Sequence, residues 1–302
     1  WFLLWLKCNP IHIGGANGHV KPAYCSIGEK WEEKQRKKET LKTVEEIKKN
    51  LEFTCVHEKR PPLSEETQQL YNYALHRDLN HMWPGQRGDG FWDELLPYYR
   101  IAAANGDYKA NVRLQYLLNT GRISTDMPQT EVYNLNEELA KQLPATAYYN
   151  LYGYLDEDYG VRTEEGGKYA YLRKAADLGS REAQYTVAEM LADIEDSEET
   201  QDAFKFRLNL VEQLWACASE QGLGEASGNS SSNLGANLEL AKKYSEAVKS
   251  YHQGVKNGDT ISALALSLGF NRETTRDSFN FLDVHPDDER AKRYSVIRSY
   301  LS

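Results

Sequence analysis

Tyr171-Leu172-Arg173-Lys174-Ala175-Ala176-Asp177-Leu178-Gly179 decides the fold of this chain, because three other segments end in the same way. They are Tyr98-Tyr99-Arg100-Ile101-Ala102-Ala103-Ala104-Asn105-Gly106, Leu214-Trp215-Ala216-Cys217-Ala218-Ser219-Glu220-Gln221-Gly222 and Ser250-Tyr251-His252-Gln253-Gly254-Val255-Lys256-Asn257-Gly258. Each carries a bulky residue at or beside its start and closes on Gly. Past each Gly a small residue recurs, at Ala110, Ala183, Ala226 and Ala263. The closing glycines are 73, 43 and 36 residues apart (106 to 179, 179 to 222, 222 to 258). The first interval is close to two units of about 36, so one degenerate unit is expected inside it. Periods in this range mark helical repeats.

Gly enters the left-handed conformation at a helix C-terminus without steric penalty, so it ends the first helix of each unit cleanly. Alanines then let an antiparallel second helix approach closely. One such pair cannot bury its apolar stripe alone, and successive pairs stack. The pattern predicts an all-α fold: a helix-turn-helix repeat solenoid, wound as a right-handed superhelix, with an irregular N-terminal lead-in and a C-terminal capping helix.

The run 171–179, followed by Arg181-Glu182-Ala183-Gln184-Tyr185, closely resembles the Sel-one-like repeat, a relative of the tetratricopeptide repeat. Ala147-Tyr148-Tyr149-Asn150-Leu151, leading through Tyr154 to Tyr159-Gly160-Val161, looks like the first half of that repeat, with Tyr152 where a Gly is usual. The resemblance covers about residues 95–275 and is strongest at 145–190. It implies a superhelix that presents a curved surface to a protein partner, and it implies no enzyme.

With 40% hydrophobic and 11% aromatic residues, 302 residues can bury a substantial core. A net charge of −9 and a pI near 5.4 argue against nucleic-acid binding, which needs a basic stripe. The twenty tyrosines are unusual. Tyr packs between helices, but it is also favoured at binding surfaces, being large, stiff and amphipathic.

Residues 1–28 hold Gly14-Gly15, Gly18 and Pro22 without helical periodicity and read as an extended, anchor-proximal lead-in. The first six, Trp1-Phe2-Leu3-Leu4-Trp5-Leu6, are too few to cross a bilayer, which takes about 20 apolar residues. They look like the end of a longer membrane anchor, with Lys7 just beyond. A lipoprotein site at Cys8 is disfavoured by Lys7; a poorly matched signal and a tag-like terminus stay open. An anchor places the protein in the periplasm, tethered to a membrane by a segment upstream of or including Trp1–Leu6. Cys25 and Cys55, outside the repeats, are candidates for a disulfide in such an oxidising space, whereas Cys217 reads as an inert core residue. No Cys-x-x-Cys occurs.

Residues 29–94 read as a helical region. Leu41, Val44, Ile47 and Leu51 share one face of an amphipathic helix at 29–52. Arg60-Pro61-Pro62 breaks the chain, and Ser64 can cap the next helix, which carries Leu70, Tyr73, Ala74 and Leu79. Residues 95–302 hold the repeats and their cap. Within them Gly222–Gly235, rich in Gly, Ser and Asn, reads as a mobile insertion. At the C-terminus His285-Pro286-Asp287-Asp288-Glu289 places Pro and three carboxylates in a first turn, and Ala291, Tyr294, Ile297 and Leu301 recur at helical spacing.

Motifs for catalysis are missing from the sequence: no His-Glu-x-x-His, no Gly-x-x-x-x-Gly-Lys and no Gly-x-Ser-x-Gly. His19-Val20-Lys21 starts like a phospholipase D signature, but position 26, where its Asp belongs, is Ser26. His76 and His81 fall on different helix faces, so no shared metal is expected, and no cofactor is expected either. Features suited to binding remain. Tyr148, Tyr149, Tyr152 and Tyr154 are candidate apolar anchors; Asp156, Glu157 and Asp158 form one acidic cluster and Glu195, Asp196, Glu198 and Glu199 a second. Such clusters are usually solvated loops, but two on connected repeats can steer a basic partner.

Anchor-like start, extra helical region, repeats and the closing Asp288-Glu289-Arg290-Ala291-Lys292-Arg293-Tyr294 together resemble bacterial immunity proteins against phospholipase D-type toxins of the type VI secretion system. That resemblance implies a periplasmic protein that binds its cognate toxin directly and does no chemistry itself. A repeat adaptor that scaffolds other proteins, in periplasm or cytoplasm, is the alternative.

Overall fold

Twelve helices and no strand run through the described residues of this computed structural model, which are 52–80, 91–157, 159, 167–195 and 199–302. They are α1 (Glu65–Asn80), α2 (Phe91–Ala104), α3 (Tyr108–Asn119), α4 (Pro128–Ala140), α5 (Pro144–Asp156), α6 (Gly167–Asp177), α7 (Arg181–Ala192), α8 (Gln201–Ser219), α9 (Glu225–Leu240), α10 (Tyr244–Lys256), α11 (Thr260–Gly269) and α12 (Asp288–Leu301). Each packs chiefly on its neighbours in sequence, the arrangement of a helical repeat solenoid. The expected lead-in at 1–28 and most of the expected helix at 29–52 lie outside the described residues.

The closing glycines do what the pattern requires. Gly106, Gly179, Gly222 and Gly258 have φ of 88°, 103°, 82° and 90°. At three of them the turn is one device repeated. The Gly106 N–H donates to Ala103 O and the Asp107 N–H to Ala102 O, and the same pair of bonds forms at Gly179-Ser180 and Gly258-Asp259. The second turn residue then starts the next helix. Asp107 accepts from the Lys109 and Ala110 N–H groups, Ser180 from Ala183, and Asp259 from Ile261 and Ser262. Each such cap stabilises by about 1 kcal/mol.

The degenerate unit is α4–α5. Gln142 lies in its turn where the others have Gly, and Pro144 opens α5 as a first helical residue without needing an N–H partner. Ala147, buried, stands 37 residues after Ala110 and 36 before Ala183. Ala110, Ala183, Ala226 and Ala263 are buried as well.

Helix α1 belongs with the repeats. Its Ser64 cap forms, with the Thr67 N–H donating to Ser64 Oγ at 3.2 Å. Its Asp78, 1% exposed, accepts from Tyr99 Oη at 3.0 Å and Arg113 Nε at 2.8 Å, tying α1 to α2 and α3.

The stretch expected to be a mobile insertion is instead helix α9. Its Gly and Ser residues are small for packing, not for turning: a Cβ at Gly235 would meet the Tyr251 ring at 2.6 Å. Two of its serine hydroxyls bond back to the helix, Ser231 donating to Ser227 O at 2.7 Å and Ser232 to Asn229 O at 3.0 Å. In the C-terminal cap, Pro286 precedes the N-cap Asp287 and lies outside the first turn. Ala291 is buried and Tyr294 stacks on Phe270, but Ile297 and Leu301 remain over a third exposed.

A second correction concerns the cysteines. Cys55 pairs with Cys217 of α8, 162 residues away, and not with Cys25, which lies outside the described residues. The buried Cys217 is thus no inert core residue. What brings them together is a strap, residues 53–63, which has no regular secondary structure and runs against the repeats. Glu58 N–H donates to Gly179 O at 3.2 Å, and Gln184 Nε2 donates to Val56 O at 2.9 Å.

Gly179 therefore carries two demands. Besides its φ of 103°, a Cβ there would sit 2.5 Å from Glu58 N and 2.8 Å from His57 C. Gly222 has a similar φ but nothing within 4 Å of its would-be Cβ. Gly222→Ala is expected to destabilise by about 1 kcal/mol, and Gly179→Ala by about 2 kcal/mol or more, since the strap must also shift. Denaturant unfolding of the two variants measures the difference; equal losses would show that the strap does not press on this turn.

Candidate partner-binding surface

Helix α5 carries most of the sequence-predicted site, and the strap fixes where it starts. The N-cap residue Leu143 has no side-chain oxygen to offer. Glu58 supplies it from outside: its carboxylate accepts from the Ala145 N–H at 2.6 Å, the Thr146 N–H at 3.2 Å and Thr146 Oγ1 at 2.5 Å. A carboxylate at a helix N-terminus also meets the positive end of the dipole.

Along α5 the four tyrosines divide. Tyr154 is buried, donates to Gln115 Oε1 at 2.5 Å, and has its phenol pushed upward in pKa by that burial. It belongs to an internal amide network: Gln115 donates to Asn111 Oδ1 and Asn150 to Asn136 Oδ1, joining α3, α4 and α5. Tyr148 is half-buried, stacked on Tyr171 at 6.1 Å, with Lys174 Nζ 4.2 Å from its ring centre. Tyr149 and Tyr152 lie 5.9 Å apart and keep part of their surface in water. The phenol of Tyr152 is raised first by burial and then by the charge of Asp156.

The acids also divide. Asp156 is paired with Lys168 of α6, and exposed Glu157 accepts from Asn119 Nδ2 at 3.0 Å. Glu195 is exposed. Glu199 is tied down: Arg207 donates to both its oxygens, at 2.9 and 2.7 Å, and holds its carboxyl below the usual range. Asp158, Asp196 and Glu198 lie outside the described residues, as do His81 and Trp1–Leu6. No helix among the described residues is long and apolar enough to cross a membrane.

Two features were not singled out from sequence. Tyr169, 53% exposed on α6, lies within electrostatic reach of Tyr152 and extends the aromatic patch across two helices. Its offset of two from the inward Tyr171 marks it as outward-facing. A groove of about 610 Å³ also opens between α2, α3 and α4, with Leu114 and Leu135 in its lining, Met127 at its mouth, and a bidentate Arg100–Glu131 pair. Its lining comes from separate elements, so no local pattern announces it.

The geometry defines a helical repeat solenoid with a mixed aromatic and acidic face. No protein-family model matches the chain, and no curated protein does. Solved structures do share its fold. It is similar to the Pseudomonas aeruginosa immunity protein Pa5087, at 23% identity and a TM-score of 0.56, covering 83% of this chain and 88% of that one. It is similar to immunity protein PA5088 of the same organism, at 20% identity and 0.56, covering 82% and 87%. A Sel1 repeat protein from Oxalobacter formigenes is similar at 17% identity and 0.50, covering 79% and 99%.

Because α5 depends on a borrowed cap, Glu58→Ala is expected to destabilise by about 1 to 2 kcal/mol, the range for losing an N-cap side chain. Glu58→Gln, which keeps the shape and loses the charge, should fall between it and the wild type. Thermal unfolding checks both; an unchanged midpoint for Glu58→Ala would mean that α5 needs no cap.

Proposed function

We propose that this protein is an immunity protein that binds a phospholipase D-type toxin, delivered by type VI secretion, and neutralises it in the periplasm by stoichiometric binding. The observation that carries the reading is the repeat fold, shared over four-fifths of the chain with two proteins described as immunity proteins. The Cys55–Cys217 disulfide supports an oxidising compartment.

The α5–α6 face offers the means. A toxin that handles a lipid phosphate with histidine and lysine presents a cationic mouth. Glu157 and Glu195, within a chain of net charge −9, attract it. Asp156, neutralised by Lys168, contributes shape more than field. Tyr149, Tyr152 and Tyr169 supply stiff aromatic surface for the contact itself.

Surface plasmon resonance against the toxin encoded beside this gene tests the reading. Tyr152→Ala with Tyr169→Ala should weaken the complex by about 10-fold or more, mainly through faster dissociation. Glu157→Lys with Glu195→Lys should slow association at low salt, and the effect should fade as salt rises. Purified protein that neither binds nor protects cells against that toxin would end the proposal.

A further inference from the structure

The strap's cysteine lies in a cluster that is more than a disulfide. His57 Nε2 is 3.4 Å from Cys55 Sγ and 3.7 Å from Glu220 Oε2. One ligand atom each from Cys55, His57 and Cys217 lies within 4.8 Å of the others. The four groups come in pairs from two elements. Cys55 and His57, two apart on an extended segment, project to one side. Cys217 and Glu220, three apart at the end of α8, share one helix face.

Two plus two groups of this chemistry are a zinc donor set. Tetrahedral zinc, with bonds of about 2.3 Å to sulfur and 2.0 to 2.1 Å to nitrogen, sets neighbouring ligand atoms about 3.4 to 3.8 Å apart. The 3.4 Å sulfur–nitrogen and 3.7 Å nitrogen–oxygen separations already fall in that range; the bonded sulfurs must part, and the exposed Glu220 carboxylate, which lies outside the 4.8 Å group, must turn toward them. Cys55 is exposed, which admits a reductant, and His57 and Glu220 open the cluster to water, which admits an ion.

We propose that the reduced chain binds a single zinc ion through Cys55, His57, Cys217 and Glu220. A dithiol reductant breaks the sulfur–sulfur bond: two electrons and two protons yield two thiols, and the dithiol becomes a disulfide. Zinc then displaces the two thiol protons into solvent. The ion ties the strap to α8 as the disulfide does in the oxidised chain. This site is independent of the toxin reading, and its test contains no toxin.

The full chain, reduced with a phosphine that does not chelate metal, is titrated with zinc or cobalt(II) and compared with the oxidised chain. The reduced chain should retain one equivalent of zinc after desalting and show a thiolate-to-cobalt absorption band; the oxidised chain should show neither. Zinc should raise the thermal midpoint of the reduced chain. His57→Ala, at an exposed position that should not disturb folding, should weaken zinc binding by about 10-fold or more. A reduced chain that retains no zinc, or a His57→Ala chain that binds zinc as the wild type does, would overturn the proposal.

Discussion

Backbone meets backbone where the strap crosses the turn at Gly179, and much of the structure leans on that contact. A side chain at position 179 would hold them apart, so the closing residue must be Gly for spacing as well as for conformation. With the gap closed, Glu58 reaches the start of α5, Val56 O reaches Gln184 Nε2, and Cys55 reaches Cys217. One close approach thereby links three helices from different repeats and fixes the register of the helix that carries the tyrosine patch.

The repeat was legible because its signal is local. A positive φ at the end of each first helix leaves almost no residue but Gly, and tight helix pairing leaves little but Ala, so both constraints write themselves into single positions. Even the unit lacking the Gly kept its Ala147 at the right spacing. Composition misled where one residue type serves two purposes. Gly and Ser mark turns by their backbone freedom, yet the glycines of α9 serve by being small against Tyr251 and Asp259, and only the neighbouring elements reveal which.

The candidate binding face was half legible. The tyrosines of α5 could be found as a cluster, but which of them face inward depends on Gln115 and Tyr171, dozens of residues away. Likewise, the two acidic clusters read as free charge until Lys168 and Arg207 take one member of each out of play. The cysteine pairing failed for the same reason. Cys25 and Cys55 are near in sequence, whereas the true partner is set by where the solenoid stacks, which spacing alone does not encode.

That pairing sets an order of assembly. Almost every other contact joins helices adjacent along the chain, so the repeats can stack as they appear. The strap is the exception, since it leaves the synthesis machinery ahead of everything it touches. Closing so long a loop adds little entropy, about 0.6 kcal/mol for each doubling of length. The seat itself, however, exists only after α5 to α8 have come together. A seated strap is thus a certificate that the middle of the solenoid is complete, and an unseated one leaves an N-terminal thiol in the open to signal that it is not.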